Sequence, residues 1–282
     1  MRFHLDTAEI YVPDGVNIDE ALARTTHLCV AAHQDDIEIM AAQPIIECFQ
    51  QDNKWFTGVV VTNGRGSPRN GIYEKYTDDE MRDVRLKEQR KAAFVGEFSA
   101  LVSLDYPSST IKDGGQSAPV EDIVSILQAA QPNYVYTHNL ADKHATHVGV
   151  ALRVLSALRA MEADLQPGKV YGCEVWRNLD WMRDTEKIVM DNSAQKNLQA
   201  ALLGVFDSQI SGGKRYDLAA MGRRLANATF FESHDVDNAS DLSYAMDLTP
   251  LIKNPDLKIT NYVKGFIDRF YQDVETLIEK VA

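Results

Sequence analysis

A histidine and two aspartates stand close together in the segment Ala32-His33-Gln34-Asp35-Asp36. Imidazole nitrogens and carboxylate oxygens are ligands of zinc, and a nearby carboxylate that binds no metal can act as a general base. Catalytic zinc takes three protein ligands and keeps a fourth position open, so one histidine and one aspartate leave such a site incomplete. The segment therefore predicts that a further histidine comes from elsewhere in the chain.

A second group of histidines lies further along, in the segment Asp142-Lys143-His144-Ala145-Thr146-His147. Both segments follow a short apolar run, residues 26–31 and 134–137, of the kind that forms a buried parallel strand. Each is followed by a helical pattern, over residues 37–51, where Pro44 kinks the helix or starts its main part, and over residues 148–161. In open parallel sheets ligands bind at the carboxyl ends of strands, so the two loops are expected to meet over one metal ion.

The rest of the chain alternates strand and helix patterns in the same way. Further strands are predicted over residues 59–62, 101–104, 169–176 and 186–191. Helices are predicted over residues 78–97, 119–130, 193–206, 216–231 and 257–281, whereas residues up to 20 show no clear period. This alternation predicts an α/β fold with a Rossmann-like, mostly parallel sheet that has helices on both faces.

Length and composition limit the classes of protein that the chain can form. A chain of 282 residues that is 45% hydrophobic can bury a full core, which favours a single domain over residues 1–282. The net charge of -12 argues against binding to nucleic acid or to an anionic membrane surface. Three cysteines are too few for a disulfide framework. With no signal peptide pattern and no membrane-spanning run, the default prediction is a cytoplasmic location.

The two histidine segments resemble the motifs of the PIG-L/LmbE-like family of zinc-dependent N-deacetylases. In that family the first motif reads Ala-His-Pro-Asp-Asp-Glu and the later one reads Asp-x-His-x-x-His. The resemblance implies that His33, Asp36 and His147 bind Zn2+ and that Asp35 is the general base that takes a proton from the metal-bound water. It further implies that His144 stabilises the oxyanion or helps to protonate the leaving amine.

Two weaker motifs support the resemblance, which covers about residues 26–209 as a family core and leaves residues 210–282 as a helical extension. Thr62-Asn63-Gly64 resembles the family's Thr-x-Gly loop, and the spacing of Arg85 and Glu88 resembles its Arg-x-x-Glu. In the family that arginine contacts substrate hydroxyls. On a helix the same two residues could instead form an ordinary surface pair. Ser208-Gln209 is loosely similar to a Ser-Gln position of the family.

Three further residues lie near the motifs, and each affects how the site is interpreted. Asp142 could accept a ring N–H from a neighbouring histidine and so fix its tautomer. Arg65, in the loop that Asn63 begins, could bind an anionic substrate group or could simply be solvated. Gln34 stands where the family has proline, and this difference removes none of the proposed ligands.

A simpler interpretation of the first motif also exists. Asp35 and Asp36 precede a helix, and aspartate at such a position is commonly no more than an N-cap. The joint occurrence of both histidine motifs, in order and each after a strand, favours the zinc site. Such a site could also take another divalent metal.

The sequence therefore predicts a zinc-dependent hydrolase that removes an N-acetyl or other N-acyl group from a small N-acetylated sugar or conjugate, such as a molecule containing N-acetylglucosamine. One alternative is another zinc amidase or esterase, for example an amidase of thiol-sugar conjugates. A second alternative is a sugar- or nucleotide-binding protein that kept the scaffold without catalysis. Assembly into a homo-oligomer is also compatible with the sequence.

Overall fold

Eight strands form one mixed sheet in the computed structural model, which covers residues 1–282. The strands are β1 (Glu9–Tyr11), β2 (His27–Ala31), β3 (Phe56–Thr62), β4 (Ala100–Tyr106), β5 (Tyr134–His138), β6 (Lys169–Cys173), β7 (Ile188–Asp191) and β8 (Leu242–Asp247). Their order in the sheet is β1-β4-β3-β2-β5-β6-β8-β7. The five central strands run parallel to one another, and β1, β8 and β7 pair antiparallel at the two sides.

Twelve helices accompany the sheet. They are α1 (Ile18–Ala23), α2 (Asp36–Met40), α3 (Ala42–Cys48), α4 (Asp78–Val95), α5 (Ser108–Lys112), α6 (Ala118–Ala130), α7 (Ala145–Ala160), α8 (Lys196–Gly204), α9 (Asp207–Ile210), α10 (Tyr216–Phe230), α11 (Thr249–Lys253) and α12 (Ile259–Val281). None of them is both long enough and apolar enough to cross a membrane.

Alternate residues of the central strands point to opposite faces of the sheet and join two separate cores. Leu28 and Val30 of β2 pack in one core with residues of α6 and α7, whereas Cys29 and Ala31 pack in the other with residues of α2, α3 and α4. A strand buried on both faces reads as a continuous apolar run, which is the pattern that β2 shows. The predicted α/β fold, with a mostly parallel sheet covered on both faces, is confirmed.

The point where the chain changes direction in the sheet lies between β2 and β5. From β2 the chain proceeds to β3 on one side, and β5 later returns to pair with β2 on the other side, with His27 opposite Tyr134 and Cys29 opposite Tyr136. The crevice at the carboxyl ends of two such strands is the usual ligand site of an open α/β sheet. The register therefore brings the loops after β2 and β5 side by side.

Two parts of the chain differ from the predicted elements. The helix predicted over residues 37–51 is split into α2 and α3 at Ala41, and Pro44 lies in the first turn of α3, where proline is tolerated. The extension over residues 210–282 is not purely helical, because β8 lies inside the sheet between β6 and β7. Strand β1 and helix α1 occupy the early segment that showed no period.

Candidate metal centre

Three side chains from the loops after β2 and β5 converge at the carboxyl edge of the sheet. His33 follows β2, Asp36 is the first residue of α2, and His147 lies in the first turn of α7. Asp36 Oδ2 is 3.2 Å from His33 Nδ1 and 3.3 Å from His147 Nε2, and the two nitrogens are 3.2 Å apart. Tetrahedral zinc with bonds of about 2.0 to 2.1 Å separates its ligand atoms by about 3.3 Å. The donor set and its spacing therefore fit one metal ion.

The charges of this cluster also favour a cation. Burial by itself would lower the pKa of His147, but the carboxylates of Asp36 and Asp142 raise it to about 9. Burial would raise the pKa of Asp36, yet His147 and His33 hold it well below the usual value. Without a metal, the cluster thus keeps a proton on His147 beside an ionised carboxylate. A divalent cation can replace that proton, since metal binding requires the neutral imidazole.

A fourth histidine, His138 at the end of β5, lies beside the cluster but is not arranged as a ligand. Its Nε2 accepts the backbone N–H of Ala32 at 2.8 Å, which uses the lone pair that a metal would need. Its ring stacks on His147, with the ring centroids 3.9 Å apart. His138 therefore supports the position of His147.

Asp35 occupies the N-cap position of α2 without acting as a cap. Its carboxylate accepts no capping hydrogen bond, and its backbone adopts φ 87°, a left-handed conformation that is rare for residues other than glycine. The residue is 4% exposed, and burial raises its pKa to about 8 although Arg85, 3.4 Å away, pulls the pKa down. The N-cap interpretation is therefore wrong for Asp35. Its strained backbone turns the carboxylate toward the space beside the cluster.

Arg85 projects from α4 and ties two loops together. Its Nη2 donates to the carbonyl of Gln34 at 2.7 Å and its Nη1 donates to the carbonyl of Gly64 at 3.3 Å. Gly64 has φ 67°, and a Cβ there would lie 2.3 Å from Gln34 Oε1, so the third position of the Thr-x-Gly motif must be glycine. Gln34 in turn donates from Nε2 to the carbonyl of Thr62 at 3.1 Å. The residue that replaces the family's proline thus connects the ends of β2 and β3.

Asp142 connects the loop after β5 to its neighbours. Its Oδ1 accepts the backbone N–H of His144 at 2.8 Å, and its Oδ2 accepts that of Trp176 at 3.0 Å. The same Oδ2 lies 3.5 Å from Nδ1 of His147, on the side of the ring opposite to the metal cluster. Of the two histidines that follow Asp142, it is His147 that its carboxylate orients.

His144 lies at the N-cap position of α7, with its ring centroid 5.1 Å from that of His33. Burial lowers the pKa of His144 to about 4, and the neighbouring His147 lowers it as well. The neutral imidazole is therefore favoured, and it carries one N–H to donate and one nitrogen to accept.

A cavity of about 490 Å³ opens above the metal cluster, and the predicted residues His33, Asp35, Asp36, Arg85 and His144 line it. The predicted substrate contacts Asn63 and Arg65 do not. Arg65 Nη2 pairs with Asp79 at 2.8 Å on the surface, and Asn63 Oδ1 accepts the backbone N–H of Arg65 at 3.3 Å. Arg65 therefore binds the first turn of α4 and Asn63 stabilises its own loop, and neither residue lines the cavity.

Several lining residues were not identified from the sequence. They include Trp176, Lys214 and Tyr216, whereas Gln209, which also lines the cavity, belongs to the Ser-Gln position that the sequence analysis noted. Trp176 was within reach of sequence reasoning, since it is the last residue of the strand predicted over residues 169–176. Lys214 and Tyr216 lie beyond the family core and carry no motif.

Comparison with known proteins agrees with this geometry. A family model described as PIG-L: GlcNAc-PI de-N-acetylase matches residues 28–158, which span both histidine motifs. A comparison with curated proteins found no match.

Several solved structures share the fold at low sequence identity. The N,N'-diacetylchitobiose deacetylase from Pyrococcus horikoshii is 14% identical, with a TM-score of 0.65 over 85% of this chain and 89% of the other. GalB, the 4-carboxy-2-hydroxymuconate hydratase from Pseudomonas putida KT2440, is 17% identical, with a TM-score of 0.58 over 79% and 95%. A zinc-inhibited form of the teicoplanin deacetylase Orf2 is 14% identical, with a TM-score of 0.54 over 79% and 97%.

These neighbours include deacetylases and a hydratase, so the shared fold alone does not select a reaction. The family model adds sequence evidence, since the region that it matches contains His33, Asp35, Asp36, His144 and His147. Residues 28–158 of the chain are therefore similar to the PIG-L family, and its sheet and helices share the α/β fold of these solved deacetylase structures.

Proposed function

We propose that the protein is a metal-dependent hydrolase that removes an N-acyl group from a small amino-sugar derivative. The observation that carries this proposal is the set of three donor atoms of His33, Asp36 and His147, 3.2 to 3.3 Å apart, with the buried carboxylate of Asp35 beside it. The description of the matching family model supports an N-acetylated glucosamine unit as the substrate. The polar cavity is large enough for a sugar, because small-molecule sites commonly measure about 300 to 1,000 Å³.

A divalent metal ion would be held by His33, Asp36 and His147, and we propose that this ion is zinc. When bound, such an ion supplies a Lewis acid that polarises a carbonyl oxygen and lowers the pKa of water. Asp35 accepts a proton from the attacking water, for which its pKa of about 8 is suited, because efficient general bases titrate near the working pH. The water oxygen bonds to the acyl carbon, the C–N bond breaks, and the proton passes to the leaving amine.

His144 is proposed to donate a hydrogen bond to the oxyanion that forms on the acyl carbon. Its low pKa supports this role over that of a general acid, because the neutral ring has an N–H to donate but holds no excess proton. Asp142 is proposed as a positioning residue that orients His147 and the backbone of His144. Arg85 is proposed to contact substrate hydroxyls, since it lines the cavity while it holds the carbonyls of Gln34 and Gly64 and lies 3.4 Å from the Asp35 carboxylate.

The proposal is tested by measuring metal content and turnover on the same preparations. Zinc-loaded protein is expected to contain about one zinc per chain and to release free amine from N-acetylglucosamine or its conjugates, and His147→Ala is expected to lose both. A panel that adds thiol-sugar conjugates and acetate esters separates an N-deacetylase from the other zinc amidases and esterases. If the protein binds zinc and sugars but hydrolyses no amide or ester, the alternative of a binding protein is favoured.

We further propose that residues 1–282 form one domain in the cytoplasm and that copies of it associate through α12. The sheet supports one domain, because β8 from the last quarter of the chain pairs with β6 from the family core.

Exposed apolar residues of α12 recur at alternating steps of three and four, at Ile267, Phe270, Val274, Leu277 and Val281. This spacing resembles that of a coiled-coil seam, and the same helix of a second copy would supply a matching apolar face. Mass measurement in solution is expected to show a dimer or larger assembly, which Leu277→Lys would dissociate.

A further inference from the structure

A second, apolar cavity adjoins the metal cluster. Its volume is about 180 Å³, and six of the eight residues that line it are hydrophobic. Asp36, Trp176 and Tyr216 line both this cavity and the larger polar one. The two spaces therefore meet at a carboxylate of the metal cluster, and an aromatic pair, whose ring centroids are 6.0 Å apart, borders both.

Small side chains create this second space. Ile39 of α2 and Val175 after β6 form one side, and Ala219 and Ala220 of α10 form another, where longer side chains would fill the volume. The one other charged group in the lining, Arg223, donates from Nη1 to the carbonyl of Val175 and forms no ion pair. The cavity thus offers apolar contact to a ligand, while the arginine is bound to the protein backbone.

An amide substrate carries two different groups on its trigonal carbonyl carbon, and these point in different directions. The amine side carries the sugar and needs the polar cavity, whereas the acyl side is a hydrocarbon attached directly to the carbonyl carbon. We infer that the apolar cavity receives the acyl chain, and that the preferred substrate carries a linear acyl group of about four to six carbons in place of acetyl. This inference rests on the proposed amide hydrolysis at the same site.

The size of the cavity sets the length of the chain. An apolar cavity of about 150 Å³ can hold benzene, which has six carbons, so 180 Å³ accommodates about as many. An acetyl methyl group would leave most of this space empty. Because each buried methylene contributes a nearly constant increment, kcat/KM is expected to rise about four-fold per methylene until the cavity is full.

A series of N-acyl-glucosamines with linear acyl groups of about two, four, six and eight carbons tests the inference on the zinc-loaded protein. Every member releases the same product, glucosamine, so one assay of free amine compares them all. We expect kcat/KM to rise to about six carbons and then to level off or fall. Cleavage of the acetyl member with a steady loss along the series would overturn the inference while leaving the proposed amide hydrolysis intact, whereas cleavage of no member would overturn both.

Two further measurements locate the effect. Hexanoate, a product of the preferred substrate, is expected to bind the zinc-loaded protein more tightly than acetate by calorimetry, and equal affinities would contradict the acyl cavity. Alkyl glycosides of N-acetylglucosamine extend the other side of the amide. If kcat/KM rises with the length of the glycoside and not with that of the acyl group, the apolar cavity takes the aglycone and the inference is wrong.

Substitutions on α10 test the cavity itself. Ala219→Leu and Ala220→Leu are expected to lower the ratio of hexanoyl to acetyl kcat/KM about ten-fold or more, because the added side chains occupy the space of the acyl chain. Ala226→Leu is the matched control, since Ala226 is exposed on the same helix and lies outside the cavity. Ala220 is buried, so Ala219→Leu carries the test if Ala220→Leu fails to fold. An unchanged ratio in the folded variants would overturn the inference.

Discussion

The carboxylate of Glu88 on α4 binds Ser208 at the start of α9 through both of its oxygens. Oε1 accepts the backbone N–H of Ser208 at 2.7 Å, and Oε2 accepts its hydroxyl at 2.6 Å, in a buried contact. The next residue, Gln209, lines the polar cavity. Glu88 thus connects a motif of the family core to a residue far along the chain, and the loosely similar Ser-Gln position acquires a structural role.

Replacing Glu88 with Gln should therefore affect both stability and catalysis. A buried carboxylate that accepts two hydrogen bonds would become an amide with an N–H facing a donor, so we expect a loss of about 1 to 3 kcal/mol in the free energy of unfolding. Displacement of Gln209 should also lower kcat/KM. Thermal unfolding and the amine-release assay measure both effects, with the exposed substitution Glu232→Gln as the control. Wild-type stability of Glu88→Gln would show that the contact is dispensable.

Asp35→Asn is expected to leave zinc bound while reducing kcat by about 100- to 10,000-fold, the usual contribution of a general base. Elemental analysis and turnover should be measured on one preparation of the protein. Asp52→Asn is the matched control, because Asp52 is exposed and far from the cavity. If zinc disappears together with activity, Asp35 belongs to the metal ligands and not to the base.

Zinc affinity should increase with pH. Because the carboxylates of Asp36 and Asp142 raise the pKa of His147 to about 9 against the effect of burial, the metal-free protein keeps a proton on this ring at neutral pH. Zinc must displace that proton, so binding should weaken from about pH 9 down to about pH 6. Calorimetry in buffers of different ionisation enthalpy should detect the released proton. Asp142→Asn should reduce proton release, and a pH-independent affinity would argue against His147 as a ligand.

Replacement by lysine should affect stability and kcat/KM strongly at one arginine near the first motifs, Arg85, and only weakly at another, Arg65. Arg85→Lys loses the fork that reaches the carbonyls of Gln34 and Gly64, so we expect a loss of about 1 to 3 kcal/mol in stability and a lower kcat/KM. Arg65→Lys alters only an exposed pair with Asp79, and its effect on stability should stay within about 0.5 kcal/mol. Urea unfolding and steady-state kinetics test both variants. A large effect of Arg65→Lys on KM would restore its predicted contact with substrate.

Much of this site was accessible from the sequence alone. Apolar runs before His33 and before the group around His144 predicted two strands, and ligand sites lie at the carboxyl ends of such strands. Local patterns suffice for this step, because a strand buried on both faces reads as continuous apolar sequence and a helix shows its own period. The resemblance to the family motifs then indicated which residues belong together, although it did not indicate where each side chain points.

Only the tertiary structure decided the direction of the side chains and the contacts between distant segments. Arg85 and Arg65 lie near the same loop, yet Arg65 pairs with Asp79 on the surface whereas Arg85 lines the cavity. Ala219 and Ala220 give no signal in the sequence, because alanine on a helix is ordinary until other elements leave space beside it. Likewise, β8 joins the sheet through pairing with β6 and β7, which precede it in the chain by about 50 residues or more. Local sequence patterns thus determined most of the elements, and the resemblance to the family motifs indicated the candidate ligands, whereas long-range packing determined the shape of the cavities.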